Sequence, residues 1–180
     1  MPFENLSTPT LLLDKDILET NCRIMQERVQ EAGLKLRPHM KTAKALEAYH
    51  LATEGGFEGI TVSTLAEADF FASGGVTDIL YAVGIVPSKL AQAQRIQDKG
   101  VKLSLIIDSL SVIDELDNEA LRLETTFPIL IEINSGGQRG GVLSDSEDLI
   151  AVGEALKNSK RLSLEGVMTH AGHSYHCTPP

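Results

Sequence analysis

Apolar residues along this chain fall into two kinds of stretch that alternate. The first kind is short and uninterrupted, as in Leu105-Ile106-Ile107 and Ile129-Leu130-Ile131. A strand with one wet face would alternate, so these runs predict strands covered on both faces. They recur at about 35–39, 59–63, 79–83, 102–107, 128–133 and 164–169. Between them the apolar spacing shifts to threes and fours, predicting helices over 43–54, 65–74, 87–99, 109–122 and 145–157. An earlier helix opens at Asp16, with Glu19 completing a capping box. It carries Leu18, Cys22, Met25, Val29 and Ala32 on one face and stops at Gly33. Thr10–Leu13 add one more short apolar run.

Buried strands joined by helices imply parallel pairing with crossover connections. A repeat of roughly 25 residues fits an α/β fold of the TIM-type (β/α) barrel, with about six of its eight units present. A doubly wound open sheet is the competitor. It is weakened by the absence of a Gly-x-Gly-x-x-Gly after the first strand. The chain ends at Thr178-Pro179-Pro180, directly after a strand, so residues 1–180 read as one incomplete barrel domain.

Composition narrows the classes. A chain of 180 residues with 42% hydrophobic and 23% charged residues is ordinary for a globular protein. The net charge of −9 leaves no basic stripe for phosphates, which argues against nucleic acid. No run of about 20 apolar residues occurs, so no membrane span is expected. The N-terminus lacks a basic and an apolar signal region. Asn5-Leu6-Ser7 matches a glycosylation sequon by chance on that reading. Cys22 and Cys177 read as two free thiols of a cytoplasmic protein.

Barrel enzymes gather their reactive groups where strands end. Those positions hold Lys41, Ser63-Thr64, Gly84, Asp108, the loop Asn134–Gly141 with Arg139, and the tail His170, His173, Tyr175 and His176. Lys41 follows Arg37-Pro38-His39 at the end of a predicted strand. A lysine becomes nucleophilic when desolvated or placed near other cations, here Arg37, His39 and Lys44. That predicts a Schiff-base enzyme, against the bland alternative of a solvated surface lysine. Lys44, one turn into a predicted helix, reads as a charge neighbour. The four glycines around Arg139 let backbone approach a ligand, where the guanidinium could hold a phenolate or carboxylate. A flexible exposed loop is the alternative. Without Gly-Lys-Ser/Thr it is not a P-loop. The tail histidines and Cys177 lack a zinc-site spacing, so no metal is expected on this chain. Their imidazoles suit proton transfer instead, with His176 the catalytic candidate beside Lys41; a disordered tail is the alternative for His173 and His176. Asp108 reads as a helix cap, and Glu132 as an inward carboxylate facing a cation.

Taken in order, these residues resemble a known family. Thr8-Pro9-Thr10-Leu11-Leu12-Leu13-Asp14, Arg37-Pro38-His39-x-Lys41-Thr42, Thr64-Leu65-Ala66-Glu67-Ala68 and Asp78-Ile79-Leu80 carry the first half. Glu132-Ile133-x-x-Gly136-x-x-Arg139-x-Gly141 and Gly166-Val167-Met168-Thr169-His170-Ala171-Gly172-His173-Ser174-Tyr175 carry the second. The chain is similar to the N-terminal barrel of D-threonine aldolases and D-serine dehydratases. These are fold-type III pyridoxal phosphate enzymes related to alanine racemase. Ala43 and Asn134 depart from that pattern, which often has His and Asp there.

The resemblance implies a pyridoxal 5'-phosphate-dependent lyase acting on β-hydroxy D-amino acids. Lys41 would be the Schiff-base lysine, and Arg139 would hold the phenolic oxygen of the cofactor. His170 would pack on its pyridine ring. His39 would flank the lysine, and His173, Tyr175 and His176 would fall in the stretch that lines the substrate side. The later phosphate loops and a metal-binding C-terminal β-domain would lie outside these residues, so a divalent metal is expected only in the complete enzyme. A homodimer is implied as well. A racemase on the same scaffold, or a barrel piece without catalysis, is the alternative.

Overall fold

The computed structural model describes residues 4–56, 59–137 and 139–178. Helix α1 (Lys15–Glu31) is capped by Asp14, whose carboxylate accepts the Ile17 N–H at 3.0 Å. The cap therefore lies two residues before the expected Asp16, which falls in the first turn where its charge suits the helix dipole. The half-buried face runs Leu18, Cys22, Gln26 and Val29. Gln26 replaces the predicted Met25 because its amide donates to the Leu51 carbonyl at 3.0 Å. Leu51 belongs to helix α2 (Leu46–Thr53).

Strand β1 (Ile60–Val62), helix α3 (Leu65–Ser73) and strand β2 (Asp78–Gly84) follow. Helix α4 (Leu90–Gln97), strand β3 (Lys102–Ile107), helix α5 (Ile113–Arg122) and strand β4 (Phe127–Asn134) repeat the unit. A two-residue strand β5 (Val142–Leu143), helix α6 (Glu147–Asn158) and strand β6 (Leu162–Thr169) complete it. Ser109, not Asp108, caps the 3-10 turn Leu110–Val112 that precedes α5.

All strand pairs are parallel, in the order β1-β2-β3-β4, with β6 on the far side of β4. β6 follows β4 through Ile133↔Thr169, so the β5 pairing Ile133↔Val142 must use the other edge of β4, beyond the end of β3. The strand expected at 35–39 is reduced to one bridge, His39↔Thr61. Its two bonds are Met40 N–H to Thr61 O at 2.9 Å and Thr61 N–H to Pro38 O at 2.8 Å. Gly59, at φ +84°, breaks the extended backbone on the β1 side, so the pairing goes no further.

The sheet is rolled. Five parallel steps at about 4.8 Å would hold the edges of a flat sheet some 24 Å apart. Yet His39, beside one edge, and His170, beyond the end of β6, line the same cavity and interact electrostatically. The arrangement is part of a (β/α) barrel, as expected. Strand residues alternate strictly. Ile60, Val62, Ile79, Tyr81, Leu103, Leu105, Phe127, Ile129 and Ile131 pack outward against the helices in one core cluster. Thr61, Leu80, Ser104, Ile106 and Leu130 take the opposite face.

Candidate active site

The site is built from chain segments at the carboxyl ends of the strands. Immediately after the His39 bridge, Met40 is buried and the chain turns through Met40–Lys44. The Lys44 N–H closes this loop on the Met40 carbonyl at 3.0 Å. Lys41 is its second residue. A cavity of about 570 Å³ lies beside it, lined by His39, Lys41, Arg139, His170 and Tyr175 together with apolar Leu80, Ala82, Val83 and Met168. Cavities of about 500, 520 and 530 Å³ elsewhere contain no histidine.

His39 orders the lysine loop. The Lys41 backbone N–H donates to His39 Nδ1 at 3.3 Å, so that nitrogen carries no proton. Nε2 then holds the hydrogen and faces the Ser63 hydroxyl at 3.4 Å. The residue is exposed overall, but both ring nitrogens face protein. Desolvation, followed by the Lys41 charge, pushes the His39 pKa below its ordinary value, and Glu67 opposes this. His170 shifts the same way, through desolvation and then the charges of Arg139 and Lys41. Its Nε2 lies 3.1 Å from the Tyr175 hydroxyl.

Arg139 is carried by the glycine loop after β4. Asn134 shapes that loop, accepting the Gly137 N–H at 2.6 Å and the Gly136 N–H at 3.3 Å and donating to the Arg139 carbonyl at 3.0 Å. Gln138 of this loop lies outside the described residues. Two of the expected ligand-facing glycines instead face the protein. A Cβ on Gly136 would strike the His173 ring, and one on Gly141 would strike the backbone of Ile133–Asn134. Burial, then nearby Asp108, raises the Glu132 pKa, while Arg139 lowers it, so the expected cation beside Glu132 is Arg139.

The other expected cationic neighbours of Lys41 are each paired with a carboxylate, although Arg37 lines the same cavity. Arg37 makes a two-pronged pair with Asp78, at 3.1 and 2.6 Å. Lys44 lies in the loop, outside any helix, and pairs with Glu67 at 3.1 Å. His173 and His176 belong to the 3-10 turn Gly172–His176, and neither lines the cavity. Among the described residues, no group of three or more His, Cys, Asp and Glu could hold a metal. Sequence reasoning placed Glu67 within the motif Thr64–Ala68 but gave it no role, although Thr64-x-x-Glu67 carries the capping-box signal.

Comparison with known proteins places this architecture. Residues 13–178 match the family described as alanine racemase, N-terminal domain. The chain belongs to this family. Among relatives of the alanine racemase N-terminal domain family, D-threo-3-hydroxyaspartate dehydratase of Delftia sp. (strain HT23) is 39% identical over 176 residues. That match covers 97% of this chain and 46% of the relative. The solved Delftia structure superposes with a TM-score of 0.90, covering 98% of this chain and 46% of that one. D-serine dehydratase of Dictyostelium discoideum is 31% identical over 190 residues, covering 99% of this chain and 48% of the relative. The D-threonine aldolase structure from Filomicrobium marinum is 26% identical, with a TM-score of 0.84, covering 94% of this chain and 46% of that one. The chain thus spans slightly under half the length of these family members. No helix among the described residues is long and apolar enough to cross a membrane.

Proposed function

We propose that this chain forms the cofactor-binding barrel portion of a pyridoxal-phosphate-dependent lyase acting on β-hydroxy D-amino acids. One observation supports this most directly: Lys41, Arg139 and His170, from three separate segments, converge on one cavity. The lining fits a flat, anionic aromatic aldehyde. It offers one amine, the guanidiniums of Arg37 and Arg139, the rings of His39, His170 and Tyr175, and apolar walls at Leu80, Val83 and Met168. Lys41 would hold the aldehyde carbon covalently. Arg139 would hold the phenolic oxygen by a charge-assisted bond. His170 would pack on the ring, and His39 would fix the backbone beneath Lys41. When bound, the cofactor supplies an electron sink for bonds at the substrate's α-carbon. Proton handling falls to His170 and Tyr175, which share the wall; His176 is exposed and off it. The sequence relatives named above, two dehydratases, favour a lyase over other chemistry on this scaffold.

Incubation with pyridoxal phosphate, reduction with borohydride and peptide mass mapping tests the lysine. Amine and aldehyde condense with loss of one water, and hydride then reduces the carbon–nitrogen double bond to a stable amine. The adduct is expected on Lys41 and should vanish in Lys41→Ala. Labelling that instead follows Lys44 or scatters over surface lysines would overturn the assignment.

A further inference from the structure

The lysine loop is anchored at two places, and the second anchor has no part in the site as described so far. Glu67 is only 9% exposed, a rare position for a carboxylate. It belongs to the first turn of α3, where its backbone N–H is held by the Thr64 hydroxyl at 3.0 Å. One carboxylate oxygen accepts the Ser63 N–H at 2.9 Å, and the other meets the Lys44 ammonium at 3.1 Å. Burial pushes the Glu67 pKa up, but these donors outweigh it and hold the carboxyl below its ordinary value. Lys44 in turn adopts φ +46°, a left-handed conformation that a lysine rarely takes unless something holds it there. Ser63 also carries the hydroxyl that faces His39, so Glu67 joins the loop, the end of β1 and the histidine beneath Lys41.

We propose that Glu67 is a positioning residue: by pinning Lys44, it fixes the shape of Met40–Lys44 that delivers the Lys41 side chain to the cavity. This rests on the reading of Lys41 as the cofactor lysine. A helix-capping role alone makes a different prediction, because Glu67→Gln keeps an acceptor for Ser63 and loses only the ion pair.

The test follows the rate of borohydride-trapped pyridoxal phosphate adduct at Lys41, and its share of all lysine adducts, in the full chain. Glu67→Gln and Lys44→Met are each expected to slow labelling of Lys41 about fivefold, the weight of one partly buried ion pair. Labelling of surface Lys157 should not change. Lys44→Arg should restore the rate, and the double variant Lys44→Met/Glu67→Gln should be no slower than either single one. Amide exchange at Lys44, whose N–H bonds to Met40 O, should quicken in Glu67→Gln with no cofactor present. Wild-type labelling and exchange in Glu67→Gln, or Lys44→Arg as slow as Lys44→Met, would overturn the proposal. Absence of label at Lys41 in the unaltered chain would instead sink the parent reading, while the exchange measurement would still judge the anchor.

Discussion

Strands β3 and β6 read alike in sequence but fare differently in the fold. Leu103 and Leu105 of β3 are 0% exposed, between β2 and β4 and beneath α4. In β6, Leu164 is 41% and Val167 62% exposed, and among the described residues the strand has β4 alone as a partner. An apolar run therefore specifies a strand, while burial depends on what neighbours supply. Cohesion lies at the centre of the sheet and most of the candidate chemistry at its margins, with Arg139, after the central β4, the exception. Lys41 and His39 stand beside β1, and His170 stands just after β6. The roll of the sheet, not the order of its strands, brings them together.

The largest effect should separate these regions by stability. Phe127 is fully buried at the start of β4, so Phe127→Ala is expected to cost about 3–5 kcal/mol. Val167→Ala on the open face of β6 should cost less than about 0.5 kcal/mol. Denaturant melts of the two variants make the comparison. Similar losses would show that β6 is as tightly held as the centre, and the distinction would fail.

The same contrast governs what the sequence could reveal. Strand β3 was predicted at its observed bounds, and β1, β2, β4 and β6 to within about two residues, because each carries a dense local apolar signal. The margins were harder. The run at 35–39 ends as a single bridge because its partner, Gly59, leaves the extended conformation. The helix expected from 43 begins at Leu46, since Lys44 turns left-handed under the pull of Glu67. Val142–Leu143 pairs only because β4 outruns β3, and no local pattern encodes that. The Thr10–Leu13 run forms no strand here, and Leu11 is 93% exposed. The site was more legible than its supports. Strand-end logic picked out Lys41, Arg139 and His170, but not that Asp78 occupies Arg37 or that Gly136 makes room for His173.

A smaller effect probes the rim alone. Gly141 adopts φ +117°, and a Cβ there would lie 2.5 Å from the Asn134 nitrogen. Gly141→Ala is expected to cost about 1–3 kcal/mol. Because the strain falls where β5 meets β4, amide exchange should quicken at Gly136 and Gly137 before it does in β3. Uniform loosening of β3 together with the loop would mean that rim and core unfold as one unit.

The smallest effect should come from pH, and it too belongs to the margins. The folded pKa values of His39 and His170 both lie below the ordinary 6.5, so the folded chain prefers both rings neutral. Above 6.5 that preference costs nothing, because the unfolded chain is neutral there too. As pH falls below 6.5, the unfolded chain takes up protons first, and stability declines until the folded rings also titrate. Protonated His39 could no longer accept the Lys41 N–H, so the loss should be felt first at the loop. Melts from about pH 7.5 to about pH 5.5 should show a shallow decline that His39→Gln combined with His170→Gln flattens. Glu67, held below its ordinary 4.5, adds a second loss only at lower pH. β3, with no titrating side chain between Leu103 and Ile107, should keep its amide protection throughout. A gain in stability on acidification would mean that the rings acquire partners when charged, and the margin would then hold itself together by a different force.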